Sequence, residues 1–95
     1  MTQLTEAWKA WAVTRCQRQL ASELLRMQVE TRMTDAAIGE RLGLPPGWFP
    51  GLITGLVDGT VVDLDGLASA ALAMGGVFEV KVVPIDYEEE RGYDG

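Results

Sequence analysis

Asp58, Asp63 and Asp65 stand close together, and carboxylates at short spacing are the raw material of a calcium loop. Such a loop needs alternating acids, a central glycine and a terminal glutamate, and that order is absent. These aspartates therefore read as loop solvation and helix capping. Cys16 is the single thiol and the chain has no histidine, so no Cys–His or Ser–His pair can form a nucleophile and its base. On an apolar helical face, Cys16 reads as a small buried hydrophobe. Gly75-Gly76 precedes a strand-like segment, whereas a phosphate-cradling glycine loop follows one. The expectation is a protein that is not an enzyme and holds no metal and no cofactor.

Recognition chemistry is better represented. The corner Pro46-Gly47-Trp48-Phe49-Pro50-Gly51 offers aromatic groups of the kind that anchor protein interfaces. Trp48, Phe49 and Pro50 are candidate partner-binding residues, with Trp48 foremost; the alternative is a tryptophan folded onto its own core. Trp8 and Trp11, three apart on a helix, form a second candidate contact, or else pack within the domain or across a dimer. Arg26, Arg32 and Arg41 are candidate phosphate contacts under a nucleic-acid reading, with Lys9, Arg15 and Arg18 widening the basic side. Their alternative is solvated helix surface with pairs such as Arg26–Glu30.

Charge weighs against phosphate. The net charge is −6, and it is uneven. Residues 1–41 carry six cations (Lys9, Arg15, Arg18, Arg26, Arg32, Arg41) against five anions, a net of +1. Residues 42–95 carry two cations (Lys81, Arg91) against nine anions, a net of −7. From Leu42 to Val80 there is no lysine or arginine, and such a surface repels a phosphate backbone.

The elements that position these residues follow from periodicity and punctuation. At 95 residues, 47% hydrophobic and 23% charged, the chain is one ordinary domain of a size that often gains from dimerising. Thr5 to about Thr31 holds no glycine or proline and repeats apolar residues at helical spacing, as one helix or two abutting ones. Thr34 reads as the N-cap of a helix that Gly43 stops. Leu44-Pro45-Pro46-Gly47 is a turn, followed by an apolar segment that starts late, is short and ends at Gly55. Leu56 to Thr60 reads as a loop. Asp63 or Asp65 caps a last helix in which Leu64, Leu67, Ala71 and Met74 share a face.

Val77-Phe78-Glu79-Val80-Lys81-Val82-Val83 is rich in β-branched residues and reads as a strand stopped by Pro84. One strand cannot pair with itself, so its expected partner is the same strand of a second copy, with Val77, Phe78, Val80 and Val82 at the contact. The expected organisation is an N-terminal helical extension (1–23), a helical core (24–76), a dimerisation strand (77–85) and an acidic flexible tail (86–95). No apolar run suits a bilayer and the N-terminus lacks signal-peptide order, so no membrane insertion is expected. The lone cysteine points to the cytoplasm.

The order of elements resembles the Cro and lambda-repressor-like (XRE-type) helix-turn-helix family. Leu25-Arg26 and Met33-Thr34-Asp35-Ala36-Ala37-Ile38-Gly39-Glu40-Arg41-Leu42-Gly43-Leu44 look like its first helix and scaffold helix. Gly39 falls where a small residue lets two helices cross closely. Leu64, Leu67, Ala71, Met74 and Gly75 look like the closing helix, and Val77 to Val82 is similar to the terminal strand of HigA-like antitoxins and small phage repressors. The resemblance implies a mainly α fold of four to five helices with one C-terminal strand paired across a homodimer. It also implies a helix that reads bases in the major groove. Base reading needs Arg, Lys, Asn or Gln, yet Thr54 is the one polar side chain between Pro45 and Thr54. The expected function is thus a small dimeric regulator acting by protein–protein contact, as an antitoxin or a phage-encoded effector of a host protein. The alternative is a sequence-specific DNA-binding repressor or antitoxin.

Overall fold

The computed structural model describes residues 3–60 and 63–86. Within them lie four helices: α1 (Glu6–Thr31), α2 (Asp35–Leu42), α3 (Trp48–Asp58) and α4 (Leu64–Ala73). α1 is one continuous helix of roughly 39 Å at 1.5 Å per residue. It runs unbroken through the expected boundary at residues 23 and 24. Thr5 caps its start, its hydroxyl accepting from the Trp8 amide at 3.2 Å. Arg32 ends it in the left-handed region with φ 57°, a conformation that costs a non-glycine residue free energy.

α2 opens on Thr34, whose hydroxyl accepts from the Ala37 amide at 3.1 Å. It closes on Gly43 at φ 68°, where the Leu44 amide reaches back to the Gly39 carbonyl at 2.8 Å. α3 then begins directly at Trp48 and continues through Gly55 to Asp58, so it neither starts late nor ends at Gly55. Pro50 is its third residue, where an amide has no intrahelical acceptor to lose. Gly59, at φ 81°, terminates it, and the Thr60 amide donates to the Gly55 carbonyl at 2.8 Å. Asp63 caps α4 through the Gly66 amide at 2.8 Å.

α1 packs on α3 and α4, and α2 on the same pair. Phe49, Leu24, Ile38 and Leu56 fill the centre, with Leu67, Ala70, Ala71, Ala73 and Met74 of the α4 segment beside them. The alanines let neighbouring helices approach α4 closely. Burying each large side chain contributes about 1.5–3 kcal/mol. Leu64 departs from the expected face: it is 83% exposed, while Leu67, Ala71 and Met74 are buried. Cys16 is likewise exposed, not buried.

After Gly75 and Gly76 the chain turns back along α1. Among the described residues, 76–86 have no regular secondary structure, so the expected strand is not present in the single chain. The physical reason is the one that makes an isolated strand unstable: without a neighbour its ladder hydrogen bonds have no acceptor. Phe78 alone of the expected dimer contacts folds onto the core. No helix of the described residues is long and apolar enough to cross a membrane. The expected tail lies, from residue 87 on, outside the described residues.

Candidate interaction surface

The turn between α2 and α3 is held by contact with α2 itself. A Cβ on Gly39 would sit 2.7 Å from the Pro45 carbonyl oxygen and 2.8 Å from that of Leu44. Gly39 therefore admits the backbone of the turn, and not a crossing helix as the family resemblance implies. This close approach fixes where α3 begins.

α3 divides cleanly into two faces. Phe49 (1% exposed) and Leu56 are buried, and Leu52 and Ile53 pack against the core from its edge. The outward side consists of Gly51, Thr54, Val57 and Asp58, all exposed, preceded by the exposed cap residue Gly47 and with Pro50 half-buried beside them. Gly47 and Gly51 have open space where a side chain would project. No cation and no amide side chain stands on this face. A helix so furnished cannot make the bidentate contacts by which guanine and adenine are read.

The aromatic candidates fall into separate places. Phe49 is a core residue, and burial removes it from the partner-binding set. Trp48 is half-buried against the core, with its Cζ2 3.8 Å from a Cβ built on Gly66, so its ring lies over the start of α4. Trp8 is buried (6% exposed) and meets Trp11 edge-to-face at a centroid distance of 5.5 Å. Arg15 stands over the Trp11 ring at 5.3 Å, a cation–π contact. The four-residue spacing of Trp11 and Arg15 on a helix is the sequence signal for that contact.

The arginines named for phosphate binding are mostly engaged within the chain. Arg26 donates to Glu23 and Glu30, each at 2.7 Å, and these two carboxylates, Glu23 foremost, hold its guanidinium above the ordinary arginine range. Arg41 donates to the Ala73 carbonyl at 2.9 Å, tying α2 to the end of α4. That tie had no sequence signal beyond a basic residue in a last turn. Arg32 is exposed and, like Arg18, makes no ion pair among the described residues. Of the three, Arg26 and Arg41 are thus engaged within the chain. Among the described residues no cluster of Cys, Asp or Glu side chains converges in a way that would hold a metal ion.

The C-terminal segment carries exposed apolar side chains. Val77, Val80 and Val82 are 82%, 81% and 101% exposed. Residues 76–83 form one wall of a groove whose other wall is α1 from Cys16 to Met27. Gly76 sits against Met27, with 3.1 Å between a built Cβ and the methionine methyl. No family model, curated protein or solved structure matches the chain.

Proposed function

We propose that this chain is a small regulatory protein on a helix-turn-helix scaffold, acting as a homodimer through protein–protein contact. The observation that carries this reading is the outward stripe of α3, Gly47, Gly51, Thr54 and Asp58, which has no Arg, Lys, Asn or Gln to make a bidentate base contact. In the XRE-type arrangement, which the order of α2, turn and α3 resembles, that stripe is the one that enters the major groove. Here the scaffold persists and the reading chemistry does not. A regulator of the antitoxin or phage-effector kind meets its target through such a surface without needing DNA.

Dimerisation is supported by the three exposed valines. Exposed β-branched side chains on a segment outside any regular element are a template for a second strand, and pairing about a two-fold axis covers both copies at once. Val77, Val80 and Val82 then form the contact, while Phe78 serves the fold of each copy.

Two measurements test the proposal together. Light scattering should give the mass of two chains for the native protein and of one chain for Val80→Asp with Val82→Asp. A gel shift over a set of duplexes should show no binding that steepens as salt is lowered; a discrete operator with a steep salt slope would establish the repressor reading instead.

A further inference from the structure

The N-terminal half of α1 carries a cationic aromatic face that the proposed function does not use. Trp11, Arg15 and Arg18 line one shallow concavity with Thr14, Gln19 and Ser22. Up to Ser22, α1 holds three cations, Lys9, Arg15 and Arg18, against one anion, Glu6, which Lys9 already contacts at 3.1 Å. Arg15 and Arg18 have no carboxylate partner among the described residues. A guanidinium stacked on an indole, with a second one a helical turn away, suits a ligand bearing both carboxylates and aromatic rings.

The chain itself ends in such a segment. Residues 87–95 read Tyr-Glu-Glu-Glu-Arg-Gly-Tyr-Asp-Gly, with four carboxylate side chains, two tyrosines and one arginine. The path leading to it is set by the groove. Gly76 lies at Met27, and residues 76–83 line one groove with α1 from Cys16 to Met27, next to the cationic face, which shares Gln19 and Ser22 with that groove. From Arg18 to Trp11 is about 10 Å along the helix, a length that nine residues, spanning up to roughly 30 Å when extended, can cover.

We propose that the acidic C-terminal segment, residues 87–95, seats on the Trp11–Arg15–Arg18 face of its own α1. Its carboxylates neutralise the two arginines and its tyrosines meet the indole edge. The face recognises acidic aromatic peptide, and its resident ligand is the end of the same chain. This inference does not depend on the dimer or on the loss of base reading.

Reciprocal charge reversal in the full chain tests it by NMR. Arg15→Glu with Arg18→Glu should shift the backbone amides of Glu88, Glu89 and Glu90. Glu88→Lys, Glu89→Lys and Glu90→Lys together should shift the Trp11 indole resonance. Salt at about 0.5 M, where the Debye length falls well below 10 Å, should reproduce both shifts in the native chain. The fivefold swap should return the salt response that each half lacks. If reversing either side leaves the other side's resonances unmoved, or the swap restores no salt response, the proposal fails. It also fails if isotope-labelled Arg15→Glu/Arg18→Glu chain, mixed with unlabelled native chain, recovers the native tail shifts, because the seat then belongs to another copy.

Discussion

Gly39 and Gly51 occupy neighbouring helices and answer to opposite demands. Gly39 is buried under two carbonyl oxygens of the turn, so Gly39→Ala must push backbone aside. We expect a loss of about 1–3 kcal/mol in urea unfolding. Gly51 faces open space, and Gly51→Ala should raise stability by about 0.5–1 kcal/mol through helix propensity alone, read in the same titration. If both substitutions moved stability in the same direction, the geometry assigned to the turn would be wrong. The sequence marked Gly39 as a place for a small residue, but spacing could not reveal that its neighbour is peptide oxygen. Trp48 shows the same boundary of inference. Composition allowed either an exposed anchor or a core side chain, and the deciding contact, with Gly66 of α4, is distant in sequence.

Caps carried most of what was legible at the level of elements. Thr34, Gly43 and Asp63 fall where a hydroxyl, a left-handed glycine and a carboxylate satisfy helix-end groups, and each does so. α3 departs from the sequence expectation because Pro50 reads as delaying the helix and Gly55 as ending it. A proline in the first turn costs no hydrogen bond, and about 1 kcal/mol for an interior glycine is outweighed by burying Leu56. The C-terminal segment was misjudged for another reason: β propensity describes a fit to neighbouring strands, and the single chain supplies none. Phe78 and Val77 separate its two roles. Phe78→Ala should lower the melting temperature of the monomeric Val80→Asp/Val82→Asp background, because its ring packs on the core. Val77→Ala in that background should leave the melting temperature unchanged, since that side chain touches little within one copy. Equal effects would contradict the assignment of Phe78 to the fold and the valines to the contact.

Over the whole molecule, charge and shape act together. The net charge of −6 and the cation-free run from Leu42 to Val80 place α3 in a field hostile to phosphate. Gly51→Arg with Asp58→Arg removes an anion and adds two cations on the outward stripe, taking the net charge from −6 to −3. If the stripe retains the geometry of a groove-entering helix, this variant should gain non-specific DNA affinity, with log K falling against log salt at a slope of about −2. A variant that folds yet shows no such slope would mean that α3 is not presented as in the family it resembles. The extents of 48 × 21 × 19 Å come chiefly from α1, which runs most of the long dimension. A body more than twice as long as it is wide tumbles anisotropically. Amide vectors in α1 lie near the slow axis, so their transverse relaxation should be faster than that of amides pointing across it. Measured by nitrogen-15 relaxation on the single-chain Val80→Asp/Val82→Asp variant, that difference gives a solution measure of whether the long helix stays straight.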